Sequence, residues 1–493
     1  MRNQNIRQFY ERWIAILPQI IEGYIYDENK EILPTRFIFS KFKKLIKRFL
    51  NDELDDSEKI ILMPGIRGIG KSTLLTQIYS LEKFLNFKDD LDKSILKNIS
   101  KLEEKIYIDV SQLKANQISL KDFFDFYQYI KGFNFVKPKK KILILIDEIH
   151  FDENWGLFLK NIFDITKGHK DILIIATGSS ALQIKIIPDL LRRSEIWELF
   201  PMKFSEYLIL KYKVYPPSNL STYFQEALFN SNNAKEVYRK LSSKLLDIDS
   251  FFINNKIPPI SKSEFFEYGS IPSVIRTENK QRALEKIKSI IDSVIVKDII
   301  NLKKFKTQTI AKVSDLLYLL AQSDVISYNK LKETLKIERI ETLEKLLEVL
   351  VMSGILVKVR SYGRTYGAVR KTSKYLFIAP PLRNAILGGI YFTGIEGKKL
   401  EDYFALIFKK DLKTKLAYDL FYDIAEGGAD FILTLSDRSN IVIEVGFNKE
   451  EVDQVKNTMK KVKSRYGLVF GSKKLELVNN SIVKVPLEFF LLI

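Results

Sequence analysis

The sequence predicts an α/β protein whose first part is a mostly parallel β-sheet with helices on both faces. Two observations predict this fold class. Short apolar runs of strand length alternate with segments whose apolar residues recur at helical spacing. Several of the runs are apolar throughout, which is typical of strands that are buried on both faces. The strand-like runs lie at residues 58–64, 105–111, 142–146, 171–180 and 194–202.

Composition limits the chemistry that the chain can perform. At 493 residues it is long enough for about three or four domains. The chain has no cysteine, which excludes disulfides, thiolate metal sites and cysteine nucleophiles. Its 2 histidines leave little scope for imidazole chemistry. Its formal net charge of +18 favours polyanionic partners, although a generally lysine-rich surface is an alternative explanation. No apolar run approaches the length that spans a bilayer, so we expect a soluble, cytoplasmic protein without a membrane partner.

A glycine-rich stretch, GIRGIGKST, joins the first strand-like run to a helical segment. Gly65, four residues and then Gly70, Lys71 and Ser72 fit the phosphate-loop pattern, in which backbone N–H groups and a helix N-terminus surround a phosphate. An ordinary glycine-rich turn is the alternative. We expect ATP and Mg²⁺ here, with Lys71 neutralising the β- and γ-phosphates and Ser72 holding the metal. The predicted nucleotide contacts in this loop are Gly65, Arg67, Gly68, Ile69, Gly70, Lys71, Ser72 and Thr73.

Two acids follow the apolar run from Ile142 to Ile146. At the carboxyl end of a buried parallel strand, Asp147 and Glu148 would lie close to the phosphate loop. We expect Asp147 to hold Mg²⁺ and Glu148 to polarise the attacking water. His150 completes the letters DEIH, but no other helicase motif accompanies them, so a DExH helicase is not predicted.

Hydroxyl groups and arginines accompany the last two strand-like runs. Thr177 and Ser179 end the fourth run, where a hydroxyl can sense a γ-phosphate. Arg192 and Arg193 end a helical segment before the fifth run, from which an arginine could reach the nucleotide of a neighbouring subunit in a homo-oligomer. The alternative is a basic helix C-terminus that satisfies its own dipole. The predicted catalytic residues are therefore Lys71, Glu148, Thr177, Arg192 and Arg193.

The middle of the chain changes from alternating elements to helices. Residues 206–304 are helical in pattern, with breaks at YPPSN and IPPIS, and predict a lid over the nucleotide. Residues 305–380 contain three helical segments and then a basic, strand-like tail, which predicts a winged helix. Such a wing would lie along the phosphates of double-stranded DNA. Its predicted DNA contacts are Lys358, Arg360, Arg364, Arg370, Lys371 and Lys374.

The helix that would enter a DNA groove is acidic, which argues against base reading. It carries Glu338, Glu341, Glu344 and Glu348, which phosphates would repel. A winged helix that docks a protein instead of DNA is therefore the alternative for this segment.

These motifs resemble the archaeal AAA+ ATPases of the prokaryotic group whose Walker A motif reads GPRxxGKTT, with Ile66 here in place of proline. TGSSALQI looks like the sensor 1 segment of that family, and LRRSEIWELFPMKFSEYL at 191–208 looks like its arginine passage. EYGSIPSVI at 267–275 is similar to its GGxP lid motif. The resemblance implies an α/β AAA+ P-loop NTPase fold with a helical lid, and it implies that Gly269 and Pro272 approach the adenine.

Residues 381–493 resemble the restriction-endonuclease-like core that is often appended to this family. Its three acid positions correspond to Glu401, Asp430 and Glu444. Its lysine position, however, is Gly446, so cleavage would require another cation such as Lys449. We therefore expect a small α/β domain that is degenerate and does not cut DNA.

The sequence thus predicts four parts: N-terminal helices and ATPase core (1–205), lid (206–304), winged helix (305–380) and endonuclease-like domain (381–493). The expected function is hydrolysis of MgATP, coupled through the winged helix to a DNA-associated rearrangement. Two alternatives stay open. One is an ATP-gated DNA-binding module with little turnover, resembling archaeal replication initiators, and the other is an ATP-dependent nuclease.

Overall fold

The computed structural model describes residues 2–132, 134–136, 138, 140–179, 188–299, 307–323, 325–363, 372–389, 394–416 and 418–493. The chain divides into two compact units, Met1–Leu199 and Phe200–Ile493. The predicted division into four domains is finer than these two units and stays a prediction.

The first unit contains the predicted parallel sheet. Its strands are β1 (Ile60–Pro64), β2 (Leu102–Asp109), β3 (Lys141–Asp147), β4 (Ile172–Gly178) and β5 (Glu195–Ile196). They lie in the order β2-β3-β4-β1-β5, and every neighbouring pair is parallel. The fifth strand is shorter than the predicted run, although the N–H groups of Trp197 and Leu199 still donate to the carbonyls of Leu62 and Pro64.

Burial and register explain why this sheet can build a site at one edge. All residues of β1, β3 and β4 are buried, as their apolar sequences predict. Pro64 pairs with Gly178, and Asp109 pairs with Asp147. The carboxyl ends of the strands are therefore level, and the residues that follow them meet at the same edge.

Helices surround the sheet of the first unit. They are α1 (Arg2–Ile25), α2 (Phe37–Leu50), α3 (Lys71–Tyr79), α4 (Asp90–Asn98), α5 (Val110–Ala115), α6 (Leu120–Lys131), α7 (Trp155–Ile165) and α8 (Pro188–Leu191). The helix α3 begins at Lys71, directly after the glycine-rich stretch. Strand β2 ends earlier than predicted because the Asp109 side chain accepts from the N–H of Ser111 and caps α5.

The second unit begins with the helical lid. Its helices are α9 (Phe204–Tyr212), α10 (Leu220–Phe229), α11 (Ala234–Ser242), α12 (Leu245–Asn254), α13 (Ile260–Glu264) and α14 (Lys280–Ser293). Single π-helical turns at Phe265–Gly269 and Val294–Ile299 extend α13 and α14.

A mixed sheet and further helices complete the second unit. The helices are α15 (Thr307–Gln322), α16 (Tyr328–Thr334), α17 (Ile340–Met352), α18 (Pro380–Ile386), α19 (Ile395–Ile407), α20 (Lys413–Leu416), α21 (Asp453–Lys461) and α22 (Leu487–Leu491). The strands are β6 (Leu356–Ser361), β7 (Lys374–Phe377), β8 (Asp419–Tyr422), β9 (Phe431–Thr434), β10 (Asn440–Val445), β11 (Ser464–Ser472), β12 (Glu476–Val478) and β13 (Ile482–Pro486).

The predicted wing is part of this larger sheet. Strands β6 and β7 are antiparallel, as a wing requires. The last two residues of β6, Arg360 and Ser361, then pair in parallel with Phe421 and Tyr422 of β8. The eight strands follow the order β12-β13-β11-β10-β9-β8-β6-β7. The domain boundary predicted at residue 380 therefore lies between β7 and β8, two strands of the same sheet.

The membrane prediction can be compared with the helices directly. Among the helices in the described ranges, none combines the length and the apolar character that a membrane span needs.

Candidate functional site

The glycine-rich stretch forms a tight loop between β1 and α3. A Cβ atom on Gly65 would lie 2.4 Å from Ile69 Cδ1 and 2.6 Å from the Leu199 carbonyl oxygen, so a larger residue does not fit there. Gly70 has a φ of 87°, a left-handed conformation that favours glycine, and it caps α3. Arg36, which is buried, donates from Nη1 to the Ile69 carbonyl oxygen at 2.9 Å and fixes the loop from outside.

Lys71 places a buried ammonium group inside this loop. The residue is 6% exposed, and its Nζ donates to the carbonyl oxygens of Gly65 at 2.9 Å and Ile66 at 3.2 Å. Glu148 Oε1 lies 4.0 Å from the same nitrogen. The loop thus holds a positive charge next to the first turn of α3, where the helix dipole also favours an anion.

Asp147 ends β3 as a buried carboxylate with partners on both oxygens. Oδ1 accepts from the Thr177 hydroxyl and from the Glu148 N–H at 3.1 Å. Oδ2 accepts from the Tyr107 hydroxyl at 3.1 Å. Burial raises the pKa of Asp147, and hydrogen bonds from Ser72 and Thr177 oppose that rise. The predicted metal pair, Ser72 and Asp147, therefore lies close enough for the Ser72 hydroxyl to lower the pKa of Asp147.

Glu148 follows in a strained backbone conformation. Its φ is 51°, a left-handed conformation that is uncommon for a residue with a side chain. Its N–H donates to Thr177 Oγ1 at 3.1 Å, and its Oε2 lies 3.5 Å from His150 Nδ1. Its side chain is 20% exposed, although its Oε2 atom is buried, and it lies beside a buried carboxylate and a buried ammonium group.

The geometry of this edge fits MgATP. Gly65 lets the loop pack tightly against Ile69 and Leu199, and the loop leads directly into a helix N-terminus, which favours a phosphate. Lys71 supplies the cation for phosphate oxygens, and Ser72 with Asp147 supplies the hydroxyl and carboxylate oxygens that Mg²⁺ prefers. The buried Ser179 hydroxyl at the end of β4 has no hydrogen-bond partner among the described residues.

The predicted arginines and lid residues have different surroundings. Arg193 pairs through Nε with Asp164 Oδ1 at 3.0 Å and covers the ring of Phe163, whereas Arg192 is exposed. Pro272 begins a short helical turn of the second unit, and its approach to adenine stays a prediction. A Cβ on Gly269 would lie 2.6 Å from Tyr207 Cε2, which gives that glycine a packing role.

Sequence reasoning missed three residues around the nucleotide loop. Arg36 and Tyr107 have the contacts given above. Burial raises the pKa of Tyr24, and Asp147 adds to that rise, whereas a hydrogen bond with Ser72 opposes it. These residues precede or lie between the motifs, and a tyrosine in an apolar run carries no signal that distinguishes it from a core residue.

The six predicted DNA contacts are not equivalent. Lys358 and Arg360 are exposed on the same face of β6. Arg364, Arg370 and Lys371 lie outside the described residues. Lys374 is 6% exposed, and its ammonium group contacts Glu401 and lies 3.6 Å from Asp430 Oδ1. Because its charge faces carboxylates and not solvent, this placement does not fit a phosphate contact.

The acids of the predicted endonuclease-like core are matched by lysines. Lys374 contacts Glu401 and approaches Asp430, as described above. Lys449 Nζ lies 3.0 Å from Glu444 Oε1, and its side chain covers Gly446. Among the residues that the structure describes, no three histidine or acid side chains come together in a way that could hold a metal ion.

Comparisons with known proteins agree with the fold of the first unit. A family model described as an AAA domain matches residues 57–208, and a domain of unknown function, DUF8612, matches residues 262–390. The uncharacterized protein MJ1637 of Methanocaldococcus jannaschii is 34% identical over 489 residues, which cover 97% of this chain and 92% of that protein. An uncharacterized protein of Haemophilus influenzae is 25% identical over 342 residues, 68% of this chain and 71% of its own length.

Solved structures align less closely. PCH-2 of C. elegans aligns with a TM-score of 0.26 and 13% identity over 67% of this chain and 72% of its own. AMPPCP-bound DnaA from Aquifex aeolicus aligns with a TM-score of 0.25 and 15% identity over 66% of this chain and 92% of its own. TM-scores this low do not establish a common overall structure.

Proposed function

We propose that this chain, which belongs to the family of MJ1637 and matches an AAA domain at residues 57–208, binds and hydrolyses MgATP at the edge of its parallel sheet. One observation carries this proposal. The buried Lys71, the buried Asp147 and the partly exposed Glu148 converge beside a glycine loop that leads into a helix.

Each of these residues has a role that follows from its surroundings. Lys71 would exchange its contacts with loop carbonyls for contacts with the β- and γ-phosphates. Ser72 and Asp147 would hold Mg²⁺, which when bound neutralises charge on the phosphate oxygens. Glu148 would accept a hydrogen bond from the attacking water and orient it. Thr177, which bonds both Asp147 and the Glu148 backbone, would keep the metal-binding acid and the water-orienting acid in register.

Of the two arginines that could complete the site of a neighbouring subunit, Arg192 is the more exposed. Arg193 already makes an ion pair with Asp164 in its own chain, and breaking that pair would oppose any reach outward. Arg192 is exposed one position earlier. We expect Arg192→Ala to lower turnover of an assembled homo-oligomer, with Arg193→Ala as the matched control.

We further propose that the β6 surface contacts double-stranded DNA and couples it to nucleotide turnover. Lys358 and Arg360 support this, since both charges are exposed on one face of a strand. The pairing of Glu401 and Asp430 with Lys374, and of Glu444 with Lys449, supports a structural role for the endonuclease-like region. If that region cuts DNA, Mg²⁺-dependent cleavage will be lost in Asp430→Ala and Glu444→Ala.

Steady-state ATP hydrolysis tests the proposal. Wild type should turn over, Lys71→Ala should lose ATP binding, and Glu148→Gln should bind ATP without turnover. Normal turnover in either variant would contradict the assignment. The same assay with duplex DNA at low and moderate salt tests whether DNA binding is coupled to ATP turnover. A stimulation that weakens with salt supports the coupling. Turnover that is the same with and without DNA would contradict the coupling but not the ATPase activity.

A further inference from the structure

The carboxylate of Asp147, which would hold Mg²⁺, has a partner that none of the nucleotide motifs contains. Tyr107 lies on β2, the strand next to β3, and its hydroxyl donates to Asp147 Oδ2 at 3.1 Å. Tyr107 is 3% exposed and Asp147 is 3% exposed, so water does not compete for this bond. A buried hydrogen bond to a carboxylate fixes a side chain more firmly than an exposed one.

Tyr107 is itself held by three contacts with two residues, Trp13 and Tyr79. Trp13 of α1 donates from Nε1 to the Tyr107 carbonyl oxygen at 3.0 Å, and the two rings stack with centroids 6.4 Å apart. Tyr79 of α3 meets the Tyr107 ring edge-on at 6.4 Å. The hydroxyl therefore has little freedom to follow a rotating carboxylate, because both the backbone and the ring of Tyr107 are fixed.

The two oxygens of Asp147 are thus oriented from opposite sides. Thr177 and the Glu148 N–H hold Oδ1, and Tyr107 holds Oδ2. The terminal torsion of an aspartate is otherwise broad, so a carboxylate with one anchored oxygen can still turn about that anchor. A second anchor on the other oxygen selects one plane for the carboxylate before any metal arrives.

We propose that Tyr107 is a positioning residue for Mg²⁺, whose hydroxyl fixes the plane of the Asp147 carboxylate so that it meets the metal beside Ser72. This inference rests on the proposed nucleotide site. Partners that orient a metal ligand commonly change metal affinity by about tenfold or more when removed, and Asp147 retains its Oδ1 partners, so we expect about a threefold to tenfold effect.

The test is Tyr107→Phe, which keeps the ring and its packing and removes only the hydroxyl. Binding of a fluorescent, non-hydrolysable ATP analogue is measured against Mg²⁺ concentration and again in EDTA. We expect the half-saturating Mg²⁺ concentration to rise about threefold to tenfold, while analogue affinity in EDTA stays at the wild-type value. A purely structural role would change both measurements together.

Tyr127→Phe is the matched control. Tyr127 is also buried in the first unit, and its hydroxyl also donates to a carboxylate, Glu104 Oε1, at 2.8 Å. It should leave the Mg²⁺ dependence unchanged. Unchanged Mg²⁺ dependence in Tyr107→Phe, or an equal change in Tyr127→Phe, would overturn the inference alone. A wild-type protein that binds no nucleotide would overturn the proposed function, and this inference with it.

Discussion

Buried charges have different partners in the two units. In the first unit, Lys71 donates to loop carbonyls and Asp147 accepts from hydroxyl and N–H groups. In the second unit, Arg383 and Asp402 are both fully buried and pair directly, with Nε–Oδ2 at 2.7 Å and Nη2–Oδ1 at 2.8 Å. Of these two arrangements, the Arg383–Asp402 pair joins its cation and carboxylate directly through two bonds, and the Lys71–Asp147 arrangement does not.

The difference teaches how to distinguish a site from a structural ion pair. A charge removed from water must recover its solvation from somewhere. Arg383 recovers it from Asp402 and from the Ala321 carbonyl oxygen at 2.8 Å, which leaves a closed, structural arrangement. The short contacts of Lys71 and Asp147 are with carbonyl, hydroxyl and N–H groups, and the Glu148 carboxylate lies 4.0 Å from Lys71. Phosphate and Mg²⁺ can replace or supplement these contacts. We infer that the Arg383–Asp402 pair serves the fold and that Lys71 and Asp147 serve a ligand.

The largest expected effect comes from breaking the structural pair. Asp402→Ala leaves Arg383 charged and buried, and it also removes the acceptor of the Phe377 N–H at 2.8 Å. We expect the free energy of unfolding to fall by about 3–5 kcal/mol. Denaturant unfolding followed by circular dichroism measures this loss.

Two controls make that result specific. The double variant Arg383→Met/Asp402→Leu removes both charges and should recover much of the loss. Asp437→Ala breaks a solvent-exposed pair with Arg465 and should cost far less. A loss in Asp402→Ala no larger than that of Asp437→Ala would contradict a structural role for the buried pair.

The second unit also contains a largely buried carboxylate beside a lysine whose effect on stability should depend on pH: Asp430, near Lys374. Burial raises the pKa of Asp430 to about 6, against the opposing charge of Lys374 and with the support of Glu444. The folded protein therefore keeps a proton that the unfolded chain has already lost, and this group's contribution to stability falls as pH rises from about 4 to about 6.

Asp430→Asn should remove that fall. Between pH 4 and pH 7, wild type should lose up to about 3 kcal/mol of unfolding free energy relative to the variant. The side chain retains 17% exposure, so this value is an upper bound. Unfolding curves of both proteins across this pH range measure the difference. Parallel pH profiles for wild type and Asp430→Asn would show that Asp430 is ionised alike in both states.

The smallest expected effect concerns exposed charge on β6. Lys358→Ala and Arg360→Ala should each weaken duplex DNA binding a few-fold at low salt, and each should reduce the salt dependence by about one ion. Lys235→Ala removes an exposed charge from α11, outside the predicted winged helix, and is the control. Binding measured by fluorescence anisotropy at several salt concentrations would contradict a β6 contact if all three variants behaved alike.

Local motifs explain which parts of this molecule could be predicted from sequence. The parallel sheet followed from apolar runs, and the neighbourhood of Lys71 and Asp147 followed from motifs only a few residues long. Tyr107 contacts Asp147 across 40 positions of sequence, and no pattern reports such a pair. Lys374 was misjudged because a basic segment suggests solvent, whereas every residue of β7 is buried and carboxylates from other elements surround the lysine.

The most direct test of the account is Lys71→Ala, measured for stability and for nucleotide affinity in the same preparation. All three tryptophans, Trp13, Trp155 and Trp197, lie in the first unit, so their fluorescence follows the unfolding of the unit that holds the site. We predict that the free energy of unfolding, measured without nucleotide, changes by less than about 1 kcal/mol in the variant. The affinity for MgATP should fall at least about a hundredfold. Wild-type affinity in this variant, or a stability loss as large as that of Asp402→Ala, would contradict the account.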